Sequence, residues 1–191
     1  SSWNASCRHR SCAARATDDS PLPLPGTVDE TVRAVVEAGG EAIAVPTNLA
    51  VDEEVEAMVA TTIAAFGRVD VLVNNAAITF PGDLELPMKR HDLVFDVNLR
   101  APLLAINAVV PGMRERGEGS IVNVSSAAAL NYFPGLMAYG MSKIALEHLT
   151  VSAAARSLNA TYLDDSPVQT RTLAIEPLQL REPVPATSGR Y

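Results

Sequence analysis

The sequence predicts an α/β fold: a doubly wound parallel sheet with helices on both faces. Three observations carry this. Two short apolar runs, Val69 to Val73 and Ser120 to Val124, read as strands buried on both faces. Helical patterns run from about Asp52 to Phe66, Lys89 to Arg116 and Ala138 to Leu158. Strands alternating with helices of this length make βαβ units, and hence parallel pairing. The 191 residues suffice for one domain with a sizeable core.

Taken in order, residues 1 to 20 show neither helical nor strand period and are expected to form an irregular arm. Cys7, His9 and Cys12 in that arm are three possible ligands where structural zinc takes four, so free thiols are expected and no metal. Residues 21 to 25 alternate proline with leucine before Gly26, a linker that brings the arm to residue 26. Thr27 can then cap a helix, with Glu30 at capping-box spacing. Val28, Val32, Val35 and Val36 fall on one face of that helix, and Gly39-Gly40 ends it.

Ala42 to Val45 reads as a strand stopped by Pro46. In the helix that follows, Val55, Met58, Val59 and Ile63 are expected inside, and Gly67 closes it. Asn74-Asn75-Ala76-Ala77 lies at the carboxyl end of the Val69 to Val73 strand. The long helix from Lys89 carries two prolines, Pro102 and Pro111, either of which would bend it. Ser125-Ser126 ends the next strand. Ligands of parallel α/β sheets bind beyond the carboxyl ends of the strands, which is where both the asparagines and the serines fall.

About half the residues are apolar and a fifth charged, the composition of a folded globular chain. A net charge of −7 gives no basic surface for nucleic acid or an anionic membrane, so small molecules are the expected partners. No apolar run is read as approaching the roughly 20 residues of a membrane span, and the N-terminus lacks a signal-peptide stretch, so a cytoplasmic protein is expected.

Tyr139 and Lys143 stand four apart on a helix, one turn from each other on the same face. A cation beside a phenol favours the phenolate and brings its pKa toward the range useful for acid-base chemistry. Ser126 ends a strand thirteen residues earlier, from where its hydroxyl can converge on the tyrosine and stabilise charge on a substrate oxygen. Nucleophilic serine chemistry is unsupported. There is no Gly-x-Ser-x-Gly elbow, and His9, His91 and His148 have no placement as a base; His91 and His148 are expected to be solvated.

Four segments, Asn74-Asn75-Ala76-Ala77, Asn98 in Asp-Val-Asn-Leu, Ser120 to Ser126, and Tyr139-Gly-Met-Ser-Lys143, resemble the classical short-chain dehydrogenase/reductase family over residues 27 to 158. The resemblance implies a Rossmann-type, three-layer αβα fold and an NAD- or NADP-dependent oxidoreductase that interconverts an alcohol and a ketone or aldehyde. It implies Tyr139 as acid/base, Lys143 as the group that lowers the tyrosine pKa and holds the nicotinamide ribose, and Ser126, rather than Ser125, as the carbonyl-orienting hydroxyl. Asn98 would hold a relay water, or else bend its helix. Asn75 and Ala76 would line the adenosine ribose, with Asn48 and Leu49 at the adenine, while Asn74 would brace the sheet. The long helices resemble those from which the family builds homodimers and homotetramers.

The sequence departs from the family pattern in three places. The glycine-rich turn of the first strand-turn-helix is missing, and Gly39-Gly40 follows a helix instead of opening one, so no phosphate cradle can be named. Thr47-Asn48-Leu49 replaces the usual Asp-Val, though Asn48 can still both donate and accept. Residues 159 to 191 diverge, with Arg171 to Ile175 as a remnant strand and Pro177 near the usual proline. Both ends look as a truncated, alternatively spliced or frame-shifted chain would. Arg15 would suit NADP, and Asp18 and Asp19 would suit NAD. The competing reading is a cofactor-deficient fragment or non-catalytic partner subunit.

Overall fold

The computed structural model describes residues 10–13, 27–164 and 168–173. Cys7, His9, Arg15, Asp18, Asp19, the 21–25 linker and Pro177 lie outside them. The chain runs β1 (Arg10–Ala13), α1 (Val28–Glu37), β2 (Glu41–Ala44), α2 (Asp52–Phe66), β3 (Val71–Asn74), α3 (Met88–Phe95), a wide π turn (Asp96–Arg100), α4 (Ala101–Arg116), β4 (Gly119–Val124), one 3₁₀ turn (Ala127–Ala129), α5 (Met137–Asp164) and β5 (Val168–Leu173).

The helix limits follow local chemistry. Thr27 is extended, its Oγ1 accepts the Glu30 N–H at 3.1 Å, and the Glu30 carboxylate accepts the Thr27 N–H at 3.0 Å, so two orphan donors of the first turn of α1 are satisfied. Gly67, at φ 83°, turns its N–H back onto the Ile63 carbonyl and stops α2 in a left-handed conformation that a side chain would strain.

All strand pairs are parallel, as the alternation of elements predicts. β4 is the centre of the order β3-β4-β5, in register from Val71 opposite Ser120 to Val124 opposite Leu173, and β1 pairs separately with β2. The main core lies over one face of β3 and β4, where Val55 and Val59 of α2 meet Ala101, Ala105, Ile106, Val109 and Met113 of α4 around Ile121, with Leu72 and Leu149 packed against them.

Several expectations are corrected. Arg10–Ala13 is a strand, not part of an irregular arm: pairing along β2 supplies the backbone partners that its own side-chain pattern does not advertise. β3 is not buried on both faces. Leu72 faces the core, but Val71 and Val73 on the opposite face are 57% and 55% exposed, because α2, α4 and α5 gather on the Leu72 side. Val36 and Ile63 are likewise exposed, each on a flank of its helix that the core does not reach. The remnant strand expected at Arg171 to Ile175 is matched at 171–173 by β5, which begins earlier, at Val168, while 174 and 175 lie outside the described residues; α5 runs past residue 158.

The long helix departs from α geometry at Asp96–Arg100, upstream of both prolines. Pro102 accounts for the position: in an unbroken α-helix its N–H would donate to the Asn98 carbonyl, and it has none. The helix from Met88 to Arg116 is also long and apolar enough, by length and composition, to cross a membrane, contrary to the expectation that no segment is. Its apolar side chains Ala105, Ile106, Val109 and Met113 are buried in the core, which accounts for its composition.

Candidate active site

The carboxyl end of β4 and the first turns of α5 are held together by three side-chain bonds, all made by α5 residues on one face. Lys143, 2% exposed, donates from Nζ to the Val124 carbonyl at 2.8 Å. One turn on, Glu147 accepts the Ser125 hydroxyl at 2.5 Å. Thr150 accepts the Asn123 amide at 2.8 Å, and the Asn123 Oδ1 in turn accepts the Asn74 amide at 2.7 Å. Asn74 therefore braces β3 to β4, and Ser125 is a strand-end hydrogen bonder, as expected.

Burial pushes the Lys143 amine below its ordinary value of 10.5. Its Nζ stands 5.7 Å from the centre of the half-buried Tyr139 ring. Ser126 opens the 3₁₀ turn, its Oγ accepting the Ala128 N–H at 3.2 Å. A hydroxyl that accepts in this way keeps its own proton free to donate. The serine turn packs on the tyrosine helix so closely that a Cβ on Gly140 would lie 2.6 Å from the Ala128 carbonyl oxygen. Ser126, Tyr139 and Lys143 thus gather beyond the end of β4. Gly140→Ala should cost about 1–3 kcal/mol, read as a lower urea midpoint, because backbone must move to admit the methyl; wild-type stability would sink this account of the packing.

Asn98 is fully buried within the π turn. Its Oδ1 accepts the Ile78 N–H at 2.8 Å, and its Nδ2 donates to the Ile78 carbonyl at 2.9 Å and to Ser142 Oγ at 3.0 Å. Ser142 donates to the Tyr139 carbonyl at 2.7 Å. The side chain is therefore a brace between the loop after β3, the long helix and α5. Pro102, which lacks an N–H, cannot serve the Asn98 carbonyl as the next turn of an α-helix would.

Asn75, Ala76 and Ala77 are exposed just beyond β3, a stretch of short side chains that leaves the backbone approachable. Asn48 is exposed; its Oδ1 accepts the Ala50 N–H at 3.1 Å, so the amide Nδ2 is the group left to address a ligand. The Leu49 side chain packs against the core, which leaves its backbone for that role. His148 is exposed as expected, but His91 is half-buried and stacks on Phe95 with ring centres 4.7 Å apart.

Glu147, Ser142 and Asp83 were not singled out from the sequence. Glu147 follows Lys143 at helical spacing, a signal that could have found it. Asp83 could be found only in three dimensions. It ties the loop after β3 to the loop before α5: its Oδ2 accepts the Gly135 N–H and the Tyr132 hydroxyl, each at 3.0 Å, and Gly82 donates to the Gly135 carbonyl beside it. The Gly135 N–H, outweighing partial burial and helped by Tyr132 and the Met137 N–H, holds the Asp83 carboxyl below its ordinary 3.8. A folded value below the unfolded one means the clamp contributes fully above about pH 4 and is lost as pH falls further. In acid titrations followed by thermal melting, Asp83→Asn should flatten the stability loss below pH 4; an unchanged acid limb would refute the clamp.

The chain as a whole is similar to known proteins. A family model described as short chain dehydrogenase matches residues 24–161. The chain is 42% identical over 127 residues to "Dehydrogenase/reductase SDR family member 4" of Bos taurus, covering 64% of this chain and 46% of that protein. It is 40% identical over 133 residues to 2-(R)-hydroxypropyl-CoM dehydrogenase of Xanthobacter autotrophicus, covering 67% and 53%. It spans about half the length of these curated relatives. Among solved structures it is similar to a metagenomic short-chain oxidoreductase in complex with NADP, with a TM-score of 0.69, 34% identity and coverage of 77% of this chain and 65% of that one. It is also similar to a short chain dehydrogenase/reductase from Burkholderia phymatum in complex with NAD, with a TM-score of 0.71, 30% identity and coverage of 76% and 51%.

Proposed function

The chain belongs to the short-chain dehydrogenase family, and from that premise we propose that it interconverts an alcohol and a ketone or aldehyde with Tyr139 as acid/base. The observation that carries the reading is the buried Lys143, pinned to the end of β4 and 5.7 Å from the Tyr139 ring. A lysine sequestered from water in this way, beside a phenol, is an arrangement suited to moving a proton.

NAD or NADP, when bound, supplies or accepts the hydride. Tyr139 and Lys143 would hold its nicotinamide ribose, Asn75 and Ala76 its adenosine ribose, and the Asn48 amide with the Leu49 backbone its adenine. In the reductive direction Ser126 donates to the carbonyl oxygen as negative charge develops there, and Tyr139 delivers the proton that completes the alcohol. Oxidation reverses both steps: the phenolate takes the hydroxyl proton. Lys143 favours the phenolate by its charge, and after reduction a water held at Asn98 would relay a proton through Lys143 back to the tyrosine, the same path carrying it away in oxidation.

Titrating NADH and NADPH while following melting temperature tests this directly. Cofactor at about a hundred times its Kd should stabilise the fold by about 2.7 kcal/mol. No rise with either would leave the partner-subunit reading, which one feature favours: Met141, Ile144 and Val151 stand exposed along one side of α5. We assign that stripe to a homodimer or homotetramer contact in either case. Sedimentation should find the oligomer, and Ile144→Glu should dissociate it.

A further inference from the structure

We infer that the substrate is a neutral carbonyl compound with a bulky apolar group beside the C=O, and not a keto acid or other anion; this rests on the oxidoreductase reading above. The loop that runs from Ser126 to Tyr139 necessarily borders the reacting groups at both its ends. Residues 126 to 137 carry no charged side chain. Leu130, four residues past Ser126, is 68% exposed, Tyr132 is 72% exposed and Phe133 36%. Apolar side chains left in water are unfavourable unless something covers them.

The loop is not free to fold them away. Tyr132 and Gly135 are both bonded to Asp83, and Gly135 also accepts from Gly82, so the segment is fastened at its middle to the facing loop. That facing loop, residues 78 to 87, contributes Ile78 and Phe80 with the carboxylates Asp83 and Glu85, and neither lysine nor arginine. Arg90 lies over the Phe80 ring at 5.2 Å, already engaged on an aromatic face. Lys143 gives one N–H to the Val124 carbonyl, and in the reading above its remaining donors and charge serve the ribose and the Tyr139 phenolate. An anionic substrate would therefore enter between two carboxylates and an uncharged loop, losing water with no cation to replace it. An aryl or branched alkyl ketone would instead cover the exposed leucine and phenylalanine.

The matched probes are para-methylacetophenone and para-carboxyacetophenone, which differ only in methyl against carboxylate. Binding to the full chain is measured by saturation-transfer NMR and hydride transfer from NADH and NADPH by absorbance. The methyl ketone should bind at least about tenfold more tightly. Leu130→Lys, a surface change that leaves folding intact, should shrink that preference. Equal or tighter binding of the carboxylate, or no detectable binding of either ketone, overturns the assignment. Preferential binding of the methyl ketone with no hydride transfer upholds the substrate class and overturns the oxidoreductase reading instead.

Discussion

Tyr139→Phe lowers kcat by about 10²–10⁴-fold, the range lost with a positioned acid/base, while cofactor still binds, weaker only by the one hydrogen bond the phenol would give the ribose, and melting temperature stays near wild type. The substitution removes one oxygen from a half-buried ring whose backbone is held independently, through Ser142 bonding to the Tyr139 carbonyl and Asn98 bonding to Ser142. Phenylalanine keeps the ring beside Lys143 and fills the same volume, so packing is preserved. Turnover and cofactor binding measured side by side decide the matter. Activity within about tenfold of wild type would remove Tyr139 from the proton-transfer role, and a parallel fall in melting temperature would make the loss structural.

Asn98→Ala destabilises the chain by about 3 kcal/mol, the largest stability effect expected of any polar substitution at the site. The magnitude follows from what is stranded. Removing the amide orphans the Ile78 N–H and the Ile78 carbonyl beside a residue with no solvent exposure and takes from Ser142 the bond it accepts, while Ser142 keeps its bond to the Tyr139 carbonyl; each buried group orphaned costs about 1–3 kcal/mol, less what an entering water recovers. Asn98→Asp should fall between wild type and alanine, since it keeps the acceptor for Ile78 and loses both donated bonds. Urea titrations with an unchanged m-value measure both. A loss under about 1 kcal/mol for alanine would mean that the brace is dispensable and that the π turn is held by the helix itself.

The two variants separate two kinds of role within one site. Tyr139 is the proposed proton-transfer group and barely supports the fold; Asn98 supports the fold through its side chain. That division was not visible in the motif, where the asparagine was read either as a water holder or as a helix bender. In the structure the side chain is spent on bracing, inside a π turn that lies just before Pro102. The convergence of Ser126, Tyr139 and Lys143, by contrast, was legible. Helical spacing puts two of them on one face, and the end of a parallel strand is where the third must sit.

What the sequence by itself determined is everything set by short-range sterics and hydrogen bonding. Thr27 and Glu30 close a capping box wherever the chain goes, Gly67 ends its helix because little else tolerates that φ, and Tyr139 and Lys143 share a face by the helical repeat. The tertiary structure alone decided the properties that depend on what lies opposite. It made Arg10–Ala13 a strand by laying it along β2, left Val71 and Val73 exposed by gathering the helices on the other face, and joined Asp83 to Gly135 across 52 residues. It also aimed Lys143 at a carbonyl 19 positions back. Caps and periodicity are properties of a few adjacent residues, whereas burial and long-range pairing exist only once distant segments have met, and no window of sequence contains that meeting.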